Sequence, residues 1–280
     1  MLLSSQGSFK AGQIMWFLPH WQEITNDPTI LQCVKGVKIE FKPGMIPFQA
    51  NVRPSTFNQS QCDIVAVEID KLLIKGVLKV SSPEPGEFVS PIFLRPKPDG
   101  SHRMILNLKP FNEFVQYHHF KMDTLESAIR MMKPGCYMAS IDLKDAYYSV
   151  PVAKEHQKYL KFVFNGAFYQ YTSLPNGLSS APRLCTKLLK PVYASLHTLG
   201  HLNLGYIDDS YLQGDNADEC SSNIKATAFL FNCVGFHLHP TKSVIMPTQT
   251  LTFLGFRLDS LSMTVSPMKE KILKTVEACK

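Results

Sequence analysis

The 280-residue sequence lacks the features that mark secreted, disulfide-stabilised and membrane-spanning proteins. Its seven cysteines are scattered, odd in number and without a C-x-x-C pair, which argues against a disulfide framework and a zinc ribbon. The apolar run IMWFLPHW is too short to cross a bilayer, and the first residues lack the basic start and long apolar stretch of a signal peptide. We therefore expect an intracellular protein, cytoplasmic or nuclear and not secreted, with no membrane partner.

What is present is an ordinary globular composition. Hydrophobic residues make up 45% and charged residues 19% of the chain, which suits one large domain or two subdomains around a cleft. The formal net charge of +6 permits a polyanionic partner without requiring one. The sequence contains no evident internal repeat or low-complexity tract.

Turn and capping signals divide the chain into short strands and helices. Asn165-Gly166 is a strong hairpin signal, and Asp99-Gly100 predicts a second hairpin between strands at about 92–95 and 103–108. Helices are predicted after Pro28, before Gly76, in TLESAIRMMKPG with Asp123 or Thr124 as N-cap, from SSAP to Gly200 with a kink at Pro191, and in ADECSSNIKATAFLFNCVGF. Strands are predicted in KGVKIEFKPG, CYMASID and LTFLGFRL. This order predicts an α+β fold with a mostly antiparallel sheet backed by helices.

The stretch LNLGYIDDSYLQG, residues 202–214, places two acids, Asp208 and Asp209, at the expected turn of a hairpin. Two carboxylates about 4 Å apart in a medium of effective dielectric near 20 repel by roughly 4 kcal/mol. In a cleft a divalent cation commonly offsets that repulsion. Asp142, which ends the apolar run YMASID, would join the pair if the two strands are neighbours, and three carboxylates can hold two Mg²⁺ ions for phosphoryl transfer. A polar turn and a helix N-cap are the alternative explanation of these acids.

Several ordered motifs resemble those of reverse transcriptases. They are SIDLKDAYYSVPV, SLPNGLSSAP, GYIDDSYL, GFHLHPTKS and FLGF, preceded by RPKPDGSHRMILNLKPFN, which resembles the fingers motif. The resemblance spans residues 75–270. The leader WQEITNDPTILQCVKGVKIEF and the wording LPNGLSSAPRLCTK resemble most the DIRS-type, tyrosine-recombinase retrotransposons, which are related to gypsy-type and retroviral enzymes.

The resemblance implies the fingers and palm of a right-hand polymerase, with the thumb largely absent. Residues 1–60 would form a leader that packs on the fingers, and 61–135 mainly the fingers, to which 150–180 partly return. Residues 136–260 would form mainly the palm with the catalytic carboxylates, and 261–280 the start of a truncated thumb. The chain would belong to a longer polyprotein with a downstream ribonuclease H domain.

The implied activity is RNA-directed DNA polymerisation on an RNA or DNA template with a primer. The primer 3′-hydroxyl would attack the α-phosphate of a dNTP with the help of two Mg²⁺ ions, for which Mn²⁺ can substitute. The resemblance makes Asp142, Asp208 and Asp209 the metal-binding catalytic carboxylates, with the Leu143 carbonyl as a further ligand. Lys242, in HPTKS, corresponds to a lysine that acts as general acid to pyrophosphate, and a plain surface lysine is its alternative explanation.

The resemblance also assigns residues to the nucleotide and the primer. Tyr147 would collide with a ribose 2′-hydroxyl and so select dNTPs, while Asp145 and Ala146 would contact the triphosphate and sugar through backbone groups. Asn176 stands where retroviral enzymes carry a nucleotide-contacting Gln. The resemblance implies that Lys97 and Arg103 contact the β- and γ-phosphates. It also implies a primer grip, which holds the primer end, at Phe253, Leu254 and Gly255.

Two other functions are compatible with parts of this pattern. A palm polymerase that copies RNA into RNA would need space for the 2′-hydroxyl, against which Tyr147 argues. A decayed or co-opted retroelement fragment would bind nucleic acid without catalysis, although the three acids are intact. The histidine pairs His118-His119 and His237/His239 lack partners at zinc spacing and are expected to be ordinary polar residues.

Overall fold

A computed structural model describes residues 7–49, 55–96, 100, 102–268 and 272. In this part of the chain the α-helices are α1 Leu18–Ile24, α2 Pro28–Lys35, α3 Gln59–Ile74, α4 Lys109–Asn112, α5 Leu125–Met131, α6 Ala181–Thr198 and α7 Ala217–Cys233, with 3₁₀ helices at Gln13–Phe17, Tyr147–Ser149 and Lys154–Tyr159. No helix within these ranges is both long and apolar enough to cross a membrane.

The strands are short, and all the ladders that join them are antiparallel. They are β1 Leu78–Ser81, β2 Ile92–Pro96, β3 His102–Leu106, β4 Tyr137–Lys144, β5 Lys161–Phe164, β6 Ala167–Tyr171, β7 Leu202–Tyr206, β8 Asp209–Gly214, β9 His237–Leu238, β10 Val244–Thr248, β11 Thr250–Phe253, β12 Phe256–Asp259 and β13 Thr264–Pro267. The prediction of antiparallel sheets accompanied by helices is confirmed.

The helix boundaries follow from capping residues in the sequence. Asp27 begins α2 by accepting hydrogen bonds from the N–H groups of Thr29 and Ile30, at 2.7 and 3.4 Å from Oδ1. Asn58 begins α3 in a reciprocal capping box, because its Oδ1 accepts from the Gln61 N–H at 2.9 Å and its own N–H donates to Gln61 Oε1 at 3.1 Å.

The chain divides into two compact units, each built from two separate stretches of sequence. The first unit comprises Gly7–Phe120 and Asp145–Leu188, and the second comprises Lys121–Lys144 together with the chain from Leu189 onward. In the first unit, β1, β6 and β5 form a three-stranded sheet, and β2 pairs with β3 as a separate hairpin.

A fully buried lysine of the first unit is paired with two glutamates. Lys161 Nζ lies 2.7 Å from Glu84 Oε1 and 2.8 Å from Glu87 Oε2, and it also donates to the Ser82 carbonyl at 2.8 Å. Because a buried ammonium is tolerated only when it is paired and hydrogen-bonded, these contacts hold the proline-rich loop 82–87 against β5.

The second unit is organised around a sheet of strand order β10-β4-β8-β7, in which β9 also pairs with β4. One face of this sheet contributes Met138, Leu204 and Tyr211 to an apolar core. Ala128 of α5 and Leu251, Phe253 and Leu258 of the β11–β12 hairpin belong to the same core. The resulting packing supports β4 and β8 along their length.

Two predicted strands differ from the structure. KGVKIEFKPG forms only isolated bridges, of Val37 with Val152 and of Phe41 with Val115, because each residue meets a different segment and no ladder continues. LTFLGFRL is not one strand but the β11–β12 hairpin. Leu254 and Gly255 make its turn with φ values of 49° and 76°, and the apolar run around them conceals the turn in the sequence.

Candidate active site

Two of the predicted catalytic acids face each other on neighbouring strands of the second unit. Asp142 of β4 is the register partner of Asp209 of β8. The Cβ atoms of residues directly opposite in an antiparallel pair lie about 4.5–5.5 Å apart. Asp142 does not end its strand as predicted, because β4 continues to Lys144 by pairing with β9.

Asp208 lies in the turn that joins β7 to β8. The turn residues are Ile207 and Asp208, so Asp209 is already the first residue of β8 and pairs with Tyr206. Ile207 has a left-handed φ of 57°, which is rare for a β-branched residue. The Leu143 N–H donates to the Asp208 carbonyl at 2.8 Å, which ties the turn to β4 beside Asp142.

The three carboxylates interact unfavourably. Burial, as the main cause, and the nearby carboxylates of Asp208 and Asp142 together raise the pKa of Asp209 to about 6. Burial also raises the pKa of Asp142, against the lowering effect of the Lys242 ammonium. The site is therefore short of positive charge.

Lys242 lies on a loop, residues 239–243, that is anchored on the backbone of Asp142. The His239 N–H donates to the Asp142 carbonyl at 2.7 Å, and the Asp142 N–H donates to Ser243 Oγ at 3.1 Å. These contacts place Lys242 Nζ 3.7 Å from Asp142 Oδ2, although the lysine side chain is 62% exposed. Sequence reasoning missed Ser243, which carries no signal other than its place next to Lys242.

Across the described ranges, no three side chains of His, Cys, Asp or Glu are grouped closely enough to hold a metal ion as they stand. One oxygen of Asp142 faces Lys242, and Asp208 is exposed at the turn. The donor set nevertheless fits a hard divalent cation, because it offers carboxylate oxygens whose mutual repulsion a cation would relieve.

A close-packed glycine supports the β7–β8 hairpin. Gly205 has no space for a Cβ, because the Tyr193 ring occupies that position. The Tyr193 hydroxyl is hydrogen-bonded to Ser210 Oγ at 2.7 Å, so the ring is fixed against both strands. Gly205 in GYIDD is thus a packing requirement that the sequence pattern alone did not explain.

The predicted nucleotide residues that the structure describes lie in the first unit. Asp145, with a left-handed φ of 52°, begins the turn that carries Ala146 and Tyr147. Asp145 Oδ2 accepts a hydrogen bond from Lys75 Nζ at 2.7 Å, a contact that the sequence did not indicate. Asn176 Nδ2 donates to the Tyr148 hydroxyl at 3.4 Å, and burial raises the pKa of Tyr148.

The β2–β3 hairpin places two arginines directly opposite each other. Arg103 is the register partner of Arg95, and both side chains are exposed. Neither has an acidic partner within 4 Å in the part of the chain that the structure describes. Like charges in this arrangement repel unless an anion lies between them. Lys97 lies outside the described residues.

The residues assigned to the primer grip lie in and beside the β11–β12 turn. Phe253 is buried and its ring centroid lies 5.7 Å from that of Tyr211, while Leu254 and Gly255 form the turn itself. A separate cavity of about 300 Å³, lined among others by Leu202, Gln213 and Glu219, lies at the opposite end of the β7–β8 hairpin from Asp208 and touches none of the predicted site residues.

Comparison with known proteins identifies a family. Residues 95–258, more than half of the chain, match the model of the family described as "Reverse transcriptase (RNA-dependent DNA polymerase)". The Transposon Tf2-3 polyprotein of Schizosaccharomyces pombe is 21% identical over 253 residues, which are 90% of this chain and 18% of the polyprotein. The Pro-Pol polyprotein of Simian foamy virus type 1 is 24% identical over 194 residues, which are 69% of this chain and 16% of the polyprotein. The chain thus spans less than a fifth of the length of these relatives.

Solved structures show the same fold. The foamy viral protease-reverse transcriptase in complex with dsDNA aligns with a TM-score of 0.69 and 20% identity over 97% of this chain and 58% of that one. The native protease-reverse transcriptase of Prototype Foamy Virus aligns with a TM-score of 0.67 and 22% identity, over 81% of this chain and 30% of that one. With its matching motifs and fold, the chain belongs to the reverse transcriptase (RNA-dependent DNA polymerase) family.

Proposed function

We propose that this chain is the polymerase region of a retroelement reverse transcriptase, transferring nucleotides from dNTPs to a primer 3′-hydroxyl on an RNA or DNA template. The observation that carries the proposal is the pairing of Asp142 with Asp209 on adjacent antiparallel strands, with Asp208 in the adjoining turn. Burial and charge repulsion make the carboxylates of Asp142 and Asp209 costly to ionise without a counter-cation.

The carboxylates of Asp142, Asp208 and Asp209, with the Leu143 carbonyl, would hold two Mg²⁺ or Mn²⁺ ions. When bound, the ions would lower the pKa of the primer hydroxyl and neutralise charge on the triphosphate. The side chains have to turn toward the ions, because one Asp142 oxygen faces Lys242 in the present arrangement. Lys242 Nζ, once separated from Asp142, would donate a proton to the departing pyrophosphate.

The β2–β3 hairpin supplies cations for the triphosphate. The opposed guanidinium groups of Arg95 and Arg103 would attract a polyanion, which would offset the repulsion between them. Lys97, which follows β2 in the sequence, would contribute a further cation. Both arginines offer bidentate contacts to phosphate oxygens. Of the two, Arg103 is the residue whose motif position corresponds to a β- and γ-phosphate contact.

The turn 145–147 would select the sugar. Tyr147 would exclude a ribose 2′-hydroxyl, while Asp145 and Ala146 would contact the nucleotide through backbone groups. Asn176 would support this site through the Tyr148 hydroxyl that it contacts, in addition to any direct nucleotide contact. The Phe253–Gly255 segment would hold the primer end.

The finer assignments rest on the sequence motifs. We assign residues 61–135 mainly to the fingers, to which 150–180 partly return, and residues 136–260 mainly to the palm. Residues 1–60 would be a leader that packs on the fingers, and 261–280 the start of a thumb. The partners would be a template–primer and a dNTP, and the chain would belong to a polyprotein with a downstream ribonuclease H domain. We also propose that the chain comes from a DIRS-type retrotransposon and that it is located inside the cell, in the cytoplasm or the nucleus.

Primer extension tests the proposed activity. The purified chain is incubated with poly(rA), oligo(dT), dTTP and Mg²⁺ or Mn²⁺, and extension is expected for the wild-type protein. The double variant Asp208→Asn/Asp209→Asn should abolish it, whereas Asp218→Asn, an exposed acid at the start of α7, should not. Extension with UTP in place of dTTP would favour an RNA-synthesising polymerase. Template binding without extension would favour the non-catalytic alternative.

A further inference from the structure

The turn after β4 is held by a lysine 70 residues away in the sequence. Lys75 directly follows α3, and its Nζ lies 2.7 Å from Asp145 Oδ2, with side chains that are 35% and 22% exposed. The ammonium group also lies 5.7 Å from the centroid of the Phe9 ring, which favours a cation at this position. This ion pair is therefore partly shielded from solvent, unlike most ion pairs on a protein surface.

The backbone of Lys75 is fixed as well as its side chain. Its N–H donates to the Lys71 carbonyl at 3.2 Å, and its carbonyl accepts from the Ala11 N–H at 2.8 Å. The next residue, Gly76, ends the helix with a left-handed φ of 73°, and its carbonyl accepts from Thr172 Oγ1 at 2.6 Å. Lys75 is thus a rigid anchor.

Asp145 has a left-handed backbone conformation, with a φ of 52°. Asp tolerates this region better than most residues with a Cβ, but the region is sparsely populated, so a fixed side-chain partner helps to maintain it. The Asp145 carbonyl accepts hydrogen bonds from the N–H and Oγ of Ser149, at 3.0 and 3.3 Å, so this conformation determines the path of the whole turn 145–149. The Gly12 N–H adds a contact to the Tyr148 carbonyl at 2.8 Å.

We infer that Lys75 is a positioning residue for nucleotide selection, an inference that rests on the proposed function. By pairing with Asp145, Lys75 holds the left-handed turn that presents Ala146 and Tyr147 to the sugar. It also neutralises a carboxylate next to the backbone groups assigned to the triphosphate, where an unpaired negative charge would repel the incoming nucleotide. Without the pair, the turn would relax and the aromatic barrier to ribonucleotides would weaken.

Hydrogen–deuterium exchange of the full chain tests the positioning role without requiring catalysis. In Lys75→Met, the amides of Ser149 and Val150 should exchange about threefold to tenfold faster, because they donate to carbonyls of the turn. Lys75→Arg should retain wild-type exchange. The matched control is Lys71→Met, which removes a lysine in the last turn of α3. The Nζ of Lys71 pairs with Glu68 at 2.7 Å rather than with Asp145. Unchanged exchange in Lys75→Met would overturn the inference.

Single-nucleotide incorporation tests the consequence for selectivity. The preference for a dNTP over the matching rNTP should fall about threefold to tenfold in Lys75→Met, chiefly through a higher KM for the dNTP, and should recover in Lys75→Arg. A loosened turn with unchanged selectivity would overturn the role in nucleotide selection. If the wild-type chain extends no primer, the proposed function fails, and the exchange measurement alone decides whether Lys75 positions the turn.

Discussion

At the scale of a single residue, the proposed catalytic role of Asp209 comes with a cost to the stability of the fold. Burial and the carboxylates of Asp208 and Asp142 raise its pKa to about 6, above the ordinary aspartate value of 3.8. Between these two pH values the unfolded chain loses the proton while the folded chain retains it. Rising pH therefore destabilises the fold across this window, and the full cost is present above pH 6.

We predict that Asp209→Asn is more stable than the wild-type protein at pH 7 in the absence of divalent cations. Allowing for partial exposure of the side chain, the gain in free energy of unfolding should be about 1–2 kcal/mol, and it should disappear as the pH falls toward 4. Thermal unfolding at a series of pH values measures it. Asp70→Asn, an exposed acid of α3, is the control and should show no such pH-dependent gain. A loss of stability in Asp209→Asn at pH 7 would contradict the electrostatic account.

The residues that sequence could identify are those whose chemistry is visible locally. Asp208 and Asp209 are adjacent, and Asp142 follows an apolar run, so their pattern is apparent without a structure. Lys75 is hydrogen-bonded to Asp145, 70 residues away in the sequence. Ser243 is hydrogen-bonded to Asp142, 101 residues away. No local periodicity encodes such contacts, because they depend on how the chain folds back on itself.

At the scale of elements, two hairpin turns place their first residue in the left-handed region but use different residues there. Asn165-Gly166 joins β5 to β6 with φ values of 47° and 77°, a conformation that both residues tolerate. Ile207 adopts a φ of 57° in the turn between β7 and β8, where its branched side chain is disfavoured. Strain of this kind persists where the surrounding structure over-determines it, commonly at functional sites.

We therefore predict opposite stability changes for a reciprocal pair of substitutions. Ile207→Asn should raise the free energy of unfolding by about 0.5–1 kcal/mol, while Asn165→Ile should lower it by about 1–2 kcal/mol. Urea denaturation of each variant measures the change. Ile207→Asn should also reduce primer extension, because the turn carries Asp208. Destabilisation by both substitutions would show that side-chain packing at Ile207 outweighs its backbone strain.

The sequence could predict the elements whose turn or capping signals are local, and it missed those without such signals. Helices with capping residues, such as α2 and α3, and the Asn-Gly hairpin were predictable because their signals are local. The turn at Leu254-Gly255 was missed because leucine occupies a left-handed position within an apolar run. KGVKIEFKPG has the alternation of a strand but contacts separate segments, and only the tertiary structure determines that.

At the scale of the whole molecule, the chain alternates between two compact units. It passes from the first unit to the second at 120/121, back at 144/145 and again to the second at 188/189. The carboxylates Asp142, Asp208 and Asp209 come from both stretches of the second unit, so the candidate metal site forms only when that unit folds. A ligand of this site binds the folded state and is therefore linked to global stability.

We predict that Mg²⁺ stabilises the wild-type protein in the absence of nucleic acid. For a dissociation constant near 1 mM, about 10 mM Mg²⁺ should add roughly 1.4 kcal/mol to the free energy of unfolding, or about 2–4 °C to the Tm. The triple variant Asp142→Asn/Asp208→Asn/Asp209→Asn should show no shift, and NaCl at matched ionic strength should not reproduce the wild-type shift. Equal stabilisation of wild type and triple variant would place the bound ion elsewhere. Because the Asp209 carboxylate destabilises the metal-free protein at pH 7, the metal ion proposed for catalysis would also offset the cost of assembling the site.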